Sequence, residues 1–235
     1  MKIQRATLES AGQCTGVVVV IDVLRAITTA CYALEAGAES IVLVAGVDEA
    51  FALRRQFPGS LMIAEIDGIP VEGADFGNSP SEVSRAPLSG IRLLLRTTAG
   101  SQGALRASHA TRLLGACLCN AAAVADELRR SPETEVALLT TGVFPDGWGD
   151  EDIACADYLE GLILGGNPDL SQIEARVRSS KSGLYYTDPQ SRAFPSEDLE
   201  FALAFNRFPW ILEIRKQDGL LVLGRDAIFG SPTTR

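Results

Sequence analysis

Asp22 and Arg25 stand at the end of an unbroken apolar run, in the stretch VVVVIDVLRAITT of residues 17–29. Five β-branched apolar residues in succession indicate a strand buried on both faces, whose interior has no place for a carboxylate. Such a strand can hold a carboxylate at its carboxyl end, where open α/β sheets place their ligands. Two interpretations stay open here. Either Asp22 belongs to a functional site, or it caps the next helix and Arg25 is a surface residue or its ion-pair partner.

Polar residues follow nearly every strand predicted in the first two thirds of the chain. They are Asp22, Glu65, Asp67, Thr97, Thr98, Asn120, Thr140 and Thr141. In a parallel sheet these strand ends lie at one edge, so we expect them to share a site there. Carboxylate oxygens without a histidine or paired cysteines suit a hard cation such as Mg²⁺. The planar guanidinium of Arg25, in the first turn of a helix, suits a phosphate or a sulfonate.

The segment TTAGSQG, residues 97–103, is a second candidate anion site because it follows a predicted strand and opens a helix. Gly100 and Gly103 would let backbone N–H groups approach an anion there. The segment has no GK[ST], so it is not the P-loop of a nucleotide-binding protein, and it lacks the GxGxxG dinucleotide fingerprint.

The segment GDEDIACADYLEGL places Asp150, Glu151 and Asp152 at the start of a helix. Acidic residues in a first turn stabilise a helix by themselves, so capping competes with a functional interpretation. Cys155 lies four residues after Glu151 and therefore on the same helix face. It is either a buried inert thiol or, with a base beside it, a nucleophile.

Apolar strands and amphipathic helices alternate through the first two thirds of the chain. Strands are predicted at residues 17–21, 41–44, 61–65, 91–96, 113–116 and 136–139, and helices at 24–36, 47–56, 101–108, 121–130 and 150–164. This alternation predicts βαβ units, hence an α/β fold with a mainly parallel sheet and helices on both faces. The Gly/Pro-rich stretch GIPVEGADFGNSPSE has the length at which loops are usually functional, and a further loop, TTGVFPDGWG, follows the sixth strand.

The last third of the chain changes character. A helix-like stretch and the polar segment SSKSGLYYTDPQSR precede a helix near residues 197–205. Two strand-like runs, 210–215 and 220–224, flank KQDG, whose Asp-Gly pair favours a hairpin turn. We predict one domain over residues 1–235, in which residues 166–235 complete a core formed by residues 1–165.

The net charge of −9 and the sequence pI of about 4.7 argue against nucleic acid or an anionic membrane as a partner. They do not argue against a phosphate ligand, which responds to local charge. No apolar run approaches the length of a transmembrane helix, and the start of the chain lacks a signal-peptide core. Five cysteines without a CxxC motif indicate reduced thiols, so we expect a cytoplasmic protein. A homodimer is only the commonest default for soluble oligomers.

Five segments occur in an order that resembles the 2-phosphosulfolactate phosphatase family, the ComB-like proteins. They are DVLRAITT, AEIDGIPVEGADFGNSP, RTTAGSQG, CNAAAVADEL and EDIACADYL. The likeness runs from about residue 16 to residue 164, and a weaker one continues in FALAFNRFPWILEIRKQDGLLVL. The resemblance implies a three-layer α/β/α fold. It also implies Mg²⁺-dependent hydrolysis of (R)-2-phospho-3-sulfolactate to 3-sulfolactate and phosphate, a step towards coenzyme M.

The resemblance also implies roles for residues that match the family's motifs. Those residues are Asp22 and Arg25 in DVLRA, Glu65 in the family's GE segment, Asn78, Ser79 and Pro80 in NSP, and Glu151 and Asp152 in ED. One departure concerns the segment after the fourth strand, where the family's TTNGT reads TTAGS here. An amide is lost at Ala99, which predicts a weaker or altered activity if that amide holds substrate or metal in relatives.

Together these observations lead to a hypothesis of metal-assisted hydrolysis of a phosphate monoester. The candidate catalytic residues are Asp22, Arg25, Glu65, Glu151 and Asp152. Of these, Asp22, Glu65 and Asp152 or Glu151 are expected to hold Mg²⁺, whose charge would neutralise phosphoryl oxygens and acidify a water. The candidate substrate-binding residues are Arg25, Asn78, Ser79, Thr97, Thr98, Gly100, Ser101 and Asn120. Arg25 and the backbone at Gly100–Ser101 would stabilise the transferring group, and Asn120, or Arg96 outside this set, would accept the sulfonate.

Three functions stay open at this point. The first is hydrolysis of phosphosulfolactate, the second is hydrolysis of another small phosphorylated carboxylate, and the third is non-catalytic binding of a phosphorylated or sulfonated metabolite. The loss of the amide at Ala99 motivates the third. A covalent route through Asp22 or Cys155 also stays open. Haloacid-dehalogenase phosphatases need a DxD motif, however, and Leu24 occupies its third position here, so direct attack by water is preferred.

Overall fold

The computed structural model describes residues 1–142 and 148–225, and within these ranges ten strands form one mixed sheet. The strands are β1 (Lys2–Thr7), β2 (Gly16–Ile21), β3 (Ser40–Leu43), β4 (Leu61–Ile66), β5 (Ile69–Pro70), β6 (Arg92–Arg96), β7 (Ala110–Ala116), β8 (Glu135–Thr140), β9 (Leu212–Gln217) and β10 (Leu220–Arg225). The helices are α1 (Ala26–Glu35), α2 (Val47–Gln56), α3 (Pro80–Val83), α4 (Gly100–Arg106), α5 (Ala121–Arg130), α6 (Asp150–Ile163), α7 (Leu170–Ser179), α8 (Lys181–Leu184) and α9 (Ser196–Ala202). Helices cover both faces of the sheet, so the predicted three-layer α/β/α fold is confirmed.

Alternate residues of β2 pack on opposite faces of the sheet. Val18 and Val20 belong to the core that contains residues of α1 and α4, whereas Val17, Val19 and Ile21 belong to the core that contains residues of α5 and α6. All five side chains are fully buried. The prediction that this apolar run forms a strand covered on both faces is therefore confirmed.

The order of strands in the sheet is β1-β8-β2-β7-β9-β10-β3-β6-β4-β5. One parallel block consists of β1, β8, β2 and β7, and a second consists of β3, β6 and β4. The C-terminal hairpin β9–β10 lies between the blocks and pairs antiparallel with β7 on one side and with β3 on the other. Three antiparallel steps separate the blocks, so the second block runs in the opposite direction to the first.

This topology corrects the expectation that the polar strand ends share one edge because the sheet is parallel. The carboxyl ends of β2 and β8 point away from those of β4 and β6. The two sets meet nevertheless, because a Cβ built on Gly100, which follows β6, would lie 2.5 Å from Asp22 Oδ2 at the end of β2. The usual twist of roughly 20–25° per strand turns β6 by roughly 100–125° relative to β2 over five steps, which lets their ends converge.

The sequence located most elements of the first two thirds, with small differences at their ends. The helices at 47–56 and 121–130 have the predicted bounds. Helix α1 starts two residues later than expected, at Ala26, whose N–H donates a hydrogen bond to Asp22 Oδ1. The strand β1 was not predicted because its burial follows no apolar alternation. The Gly/Pro-rich stretch contains the short elements β5 and α3, and residues 143–147 of the predicted loop after β8 lie outside the described residues.

The hairpin expected at KQDG is confirmed, since Asp218 and Gly219 have φ values of 49° and 84° between β9 and β10. The polar segment SSKSGLYYTDPQSR, for which no element was predicted, contains α8 and a 3₁₀ turn at Tyr185–Thr187. Among the described helices, none combines the length and the apolar character needed to cross a membrane.

Candidate active site

A cavity of about 450 Å³ opens beside the converging strand ends. Part of its lining is polar and includes Thr98, Gly142, Glu151 and Ser182. Another part is aromatic and consists of Trp148, Tyr185, Tyr186 and Phe194. No lysine or arginine occurs among the described residues that line it.

Asp22 lies at the end of β2 and is buried. Its Oδ1 accepts a hydrogen bond of 2.7 Å from Ala26 N, so the side chain does cap α1. The pKa of Asp22 is raised from its ordinary 3.8 to about 7, chiefly by burial and also by the charges of Glu151 and Glu65, while the Ala26 N–H opposes the rise. Capping and placement in an acidic cluster are thus both properties of this residue.

Asp152 lies in the first turn of α6, where its two oxygens accept backbone hydrogen bonds. Its Oδ1 accepts from Val23 N at 2.8 Å, and its Oδ2 accepts from Gly142 N at 2.9 Å. Burial raises the pKa of Asp152, and the neighbouring charges of Asp22 and Glu151 raise it further. Asp152 therefore ties the loops after β2 and β8 together at the base of the cluster.

The hydroxyl of Thr141 lies between the two aspartates. It is 3.2 Å from Asp22 Oδ2, 3.3 Å from Asp152 Oδ2 and 3.1 Å from Ile21 O. A threonine hydroxyl has one proton to donate, so it can satisfy only one of these three acceptors at a time. At least one aspartate oxygen is therefore left with spare capacity to bind a cation or a proton.

Glu151 lines the cavity, and its Oε2 is buried without a hydrogen-bond partner. Burial raises the pKa of Glu151, while a hydrogen bond with Ser182 opposes that rise. A buried carboxylate oxygen without a partner is unfavourable unless a ligand or an ion supplies one. Glu151 is thus the carboxylate of the cluster that is most clearly available to a ligand.

Glu65 lies near the end of β4 and is held from several sides. Its Oε1 accepts from Thr98 N at 2.6 Å, and its Oε2 accepts from Gly68 N at 2.7 Å and from Thr98 Oγ1 at 3.0 Å. Arg96 Nη1 also donates to the backbone oxygen of Glu65. Glu65 therefore fixes Thr98, which lines the cavity, relative to the β4–β5 turn.

Arg25 immediately precedes α1 and lies behind the aromatic residues rather than in the cavity lining. Its Nη1 donates to Asp198 Oδ2 at 3.0 Å and to Ala193 O at 2.8 Å, and its Nη2 donates to Gly68 O at 3.1 Å. Its ion pair is thus with Asp198 and not with Asp22, contrary to one of the interpretations of the sequence. The guanidinium is committed to groups of the protein itself.

Asp198 is fully buried and organises the NSP segment. Its Oδ1 accepts from Ser79 Oγ at 2.8 Å, from Ser81 Oγ at 2.6 Å and from Ser81 N at 3.1 Å. Asn78 is buried next to this cluster in sequence, and its Oδ1 lacks a hydrogen-bond partner. Ser79 and Asn78 are both absent from the described lining of the cavity.

Three other predicted binding residues use their polar groups to shape the backbone. Ser101 N donates to Thr97 Oγ1 at 2.9 Å and Thr97 N donates to Ser101 Oγ at 3.0 Å, which closes the start of α4. Asn120 Oδ1 accepts from Cys117 N at 2.9 Å, and its Nδ2 donates to Gly115 O at 3.0 Å. Thr97, Ser101 and Asn120 therefore hold turns, whereas Thr98 reaches the cavity.

Gly100 allows α4 to approach Asp22 closely, which leads to a prediction for Gly100→Ala. The added methyl would lie 2.5 Å from both Asp22 Oδ2 and Ala26 Cβ, closer than real Cβ contacts allow. Overpacking of this kind costs roughly 1–3 kcal/mol, more than the gain of about 1 kcal/mol from alanine's higher helix propensity. Displacing Asp22 should lower kcat/KM for the phosphate-ester hydrolysis predicted from the sequence by roughly 100-fold.

Gly12→Ala is the matched control, because its added Cβ would come no nearer than 3.8 Å to Arg106 O. Steady-state phosphate release and urea denaturation of both variants make the comparison. Full activity of Gly100→Ala would show that the close approach of α4 does not position Asp22.

The donors present fit Mg²⁺, the cation implied by the family resemblance. In the described parts of the chain, no three His, Cys, Asp or Glu side chains are grouped closely enough to hold a metal by themselves. Mg²⁺ commonly needs fewer protein ligands, because one or two carboxylates plus waters and substrate phosphate complete its shell. Asp22 Oδ2 and Glu151 Oε2 are the oxygens with the least internal hydrogen bonding.

The residues missed in the sequence are Asp198 and the aromatic lining. Asp198 lies in PSEDLE, which has the composition of an ordinary solvated helix start and gives no sign of burial. The aromatic residues did leave a signal, since Trp148 and Tyr185 stand in segments otherwise rich in Gly, Ser and Asp. The sequence placed Thr141 at the end of a strand but assigned it no role in the site.

A buried acidic cluster lies beside a cavity at the meeting point of strand ends, an arrangement typical of the sites of α/β enzymes. Comparison with known proteins gives the family. A family model described as 2-phosphosulpholactate phosphatase matches residues 3–214, and the chain belongs to this family. It is therefore an enzyme of the phosphatase class.

Two relatives show how far the similarity extends. A protein of Bacillus subtilis named "Probable 2-phosphosulfolactate phosphatase" is 32% identical over 203 residues, which cover 86% of this chain and 87% of the relative. A protein of Carboxydothermus hydrogenoformans with the same name is 40% identical over 226 residues, covering 90% of this chain and 92% of the relative. The family match at residues 3–214 includes all the segments that carry the carboxylates and ends within β9.

Proposed function

We propose that this enzyme hydrolyses 2-phospho-3-sulfolactate to 3-sulfolactate and inorganic phosphate in a Mg²⁺-dependent reaction. The relatives' names and the family support the substrate. The observation that carries the proposal is the buried group Asp22, Glu65, Glu151 and Asp152, of which Glu151 lines the cavity.

The charge balance supports the dependence on a cation. The substrate carries phosphate, carboxylate and sulfonate groups, all anionic. The described lining of the cavity contains Asp67 and Glu151 but no lysine or arginine. Arg25, which the sequence suggested as a phosphate ligand, is held by Asp198, Ala193 and Gly68. A bound divalent cation would offset the repulsion between these carboxylates and the phosphate monoester.

Within the cluster we assign different roles to the carboxylates. Asp22 and Glu151 would hold Mg²⁺, because their oxygens have spare capacity. Glu65 and Asp152 would position the surrounding backbone and contribute negative charge, directly or through water. When bound, Mg²⁺ supplies positive charge that neutralises phosphoryl oxygens and acidifies the attacking water.

The chain itself supplies orientation and a proton acceptor. Thr98 forms part of the cavity wall in a fixed position, because its hydroxyl donates to Glu65 Oε2 and accepts from Asp67 N. A carboxylate of the cluster accepts the proton of the attacking water as the water oxygen bonds to phosphorus. The bond from phosphorus to the C2 oxygen breaks with its electron pair on that oxygen, which then takes up the proton from the carboxylate. Cys155 has no part in this proposal, because it is fully buried among apolar side chains and burial raises the pKa of its thiol.

Phosphate release by wild type and Glu151→Gln tests the proposal. Wild type should release phosphate from phosphosulfolactate with Mg²⁺, stop in EDTA and recover when Mg²⁺ is restored. Glu151→Gln should lose about 100-fold or more in kcat, because glutamine keeps the shape and removes the charge. Asp150→Asn is the matched control, since the neighbouring acid is half-exposed and paired with Arg176.

Asp150→Asn should retain wild-type turnover and wild-type dependence on Mg²⁺. Turnover that persists in EDTA, or that is unchanged in Glu151→Gln, would contradict the proposed role of the carboxylates. If wild type releases no phosphate from phosphosulfolactate at any Mg²⁺ concentration, the proposed substrate is wrong.

A further inference from the structure

The aromatic part of the cavity forms a continuous surface, which we call the aromatic wall: Trp148, Tyr185, Tyr186 and Phe194. The ring centroids of Trp148 and Tyr185 are 5.3 Å apart, and those of Tyr185 and Phe194 are 5.0 Å apart. Tyr186 meets Phe194 edge-on at 5.7 Å. Leu24, Ile69 and Ala99 extend the apolar lining beside the wall. Much of the cavity therefore offers contacts that a compact ester with three anionic groups does not use.

The volume of the cavity leads to the same conclusion. At about 450 Å³, it falls within the range of roughly 300–1,000 Å³ typical of pockets that enclose drug-sized ligands. A three-carbon ester would leave a large part of that space to water, in contact with aromatic and aliphatic side chains. Displacing such water by an apolar group of the ligand is favourable.

The charges behind the wall indicate what kind of group it suits. The Arg25 guanidinium lies 5.1 Å from the centroid of Phe194 and 5.7 Å from that of Tyr186, and Lys181 Nζ lies 5.8 Å from that of Trp148. Rings that already neighbour a cation attract a second cation less strongly. The wall is therefore suited to a flat, uncharged group rather than to a cationic one.

We propose that the cavity accepts 2-phosphate esters of 2-hydroxy acids that carry a planar aromatic group on C3, and that the aromatic wall holds this group. The proposal rests on the proposed function, because the phosphate end of the ester occupies the same carboxylate cluster. The water oxygen bonds to phosphorus, and the bond from phosphorus to the C2 oxygen breaks with its electron pair on that oxygen. The C2 oxygen takes up the proton released by the water, which gives inorganic phosphate and a 3-aryl-2-hydroxy acid.

Three esters with the same head group test the proposal: 2-phospholactate, 2-phospho-3-sulfolactate and 2-phospho-3-phenyllactate. They differ only in the C3 substituent, which is hydrogen, sulfonate or phenyl. We expect kcat/KM for the phenyl ester to exceed that for 2-phospholactate by about tenfold or more, as a well-filled apolar subsite allows.

Variants of Tyr185 assign the effect to the wall. Tyr185 is 48% exposed and its neighbour Leu184 is 55% exposed, so truncating either should leave the fold intact. Tyr185→Ala should lower the phenyl-to-hydrogen ratio of kcat/KM by about 2- to 10-fold, and Tyr185→Phe should restore it. Leu184→Ala, which does not line the cavity, is the matched control and should keep the wild-type ratio.

The outcomes separate this proposal from the proposed function. If phosphosulfolactate and phospholactate are hydrolysed and the phenyl ester is not hydrolysed faster than phospholactate, the phosphatase stands and the aromatic subsite is overturned. If none of the esters is hydrolysed, the proposed phosphatase function is wrong. Calorimetry then compares the affinities of 3-phenyllactate and lactate, which tests whether the aromatic wall binds an aryl group. Tighter binding of 3-phenyllactate that weakens in Tyr185→Ala supports the subsite, and equal binding overturns it.

Discussion

Asp22→Asn should abolish phosphatase turnover and, at the same time, stabilise the metal-free protein at pH 8. Removing one carboxylate of the cluster should lower kcat by about 1,000-fold or more, because charge at the reacting phosphate is then no longer balanced. The gain in stability arises because the folded protein holds Asp22 beside Glu151, Glu65 and Asp152, away from water. Asparagine keeps the cap on α1, since its Oδ1 can still accept from Ala26 N.

The dependence on pH follows from the raised pKa of Asp22, about 7 in the folded protein against an ordinary 3.8. The folded state keeps the Asp22 proton where the unfolded state has lost it, so this stabilising contribution is complete below pH 3.8. It is lost as pH rises through about 7. One pKa unit corresponds to 1.36 kcal/mol, so the total change is on the order of a few kcal/mol.

Urea denaturation in EDTA from pH 4 to pH 8 checks this expectation. The free energy of unfolding of wild type should fall over this range more steeply than that of Asp22→Asn, and the variant should be the more stable of the two at pH 8. Asp48→Asn replaces an exposed acid in the first turn of α2 and should change stability by no more than about 0.5 kcal/mol. A variant less stable than wild type at pH 8 would show that capping, and not charge burial, dominates at Asp22.

The local features of the fold could be predicted because they are encoded over a few residues. The run of valines before Asp22 identified β2, and amphipathic spacing gave the exact bounds of the helices at 47–56 and 121–130. Strand β1 was missed because it is a sheet edge whose side chains are mostly exposed. Without an apolar face, such a strand lacks the alternation that identifies others.

The topology could not be predicted, because pairing between distant strands leaves no local pattern. Nothing in residues 212–225 indicates that this hairpin inserts between β7 and β3. Its insertion reverses the direction of the second parallel block. The strand ends therefore do not meet simply because all the strands run in the same direction. Asp22 and Glu65 were correctly placed near each other, but the meeting depends on the twist of the sheet and on the close approach of Gly100.

The residues of the candidate site also differ in how far the sequence could predict them. Unusual polar residues are visible in the sequence where they stand at the end of a strand or open a helix, as Glu65, Thr98, Glu151 and Asp152 do. The partner of Arg25 was not visible in the sequence, because Asp198 lies in a different helix, 173 residues later in the chain. Residues that act through distant contacts carry no motif of their own, and the aromatic wall likewise comes from segments that show no periodicity.

Breaking the buried ion pair between Arg25 and Asp198 should be the most destabilising single change considered. The two side chains are 3% and 0% exposed, and they join at 3.0 Å. Removal of one charge from a buried pair typically costs about 3–5 kcal/mol, because the other charge is left uncompensated. Asp198→Asn isolates this effect, since its Oδ1 can still accept from Ser79 and Ser81.

A double-mutant cycle measures the pair itself. Arg25→Met and Asp198→Asn should each lower the free energy of unfolding by about 3–5 kcal/mol, whereas the double variant should lose clearly less than their sum. Glu197→Gln is the matched control, because its pair with Arg85 is exposed and screened by solvent, so its loss should change stability little. Additive losses in the double variant would show that Arg25 and Asp198 are stabilised by their other partners and not by each other.

The cycle also has a consequence for the site. Arg25 donates to the carbonyls of Gly68 and Ala193, and Gly68 and Phe194 both line the cavity. The pair thereby joins the β4–β5 turn, which Glu65 anchors, to the segment that carries part of the aromatic wall. We expect Asp198→Asn, assayed well below its unfolding midpoint, to raise KM for 2-phospho-3-phenyllactate more than it lowers kcat, because it loosens the wall and leaves the carboxylate cluster in place. An equal fall in kcat and kcat/KM would instead place the effect of Asp198 on the reacting phosphate.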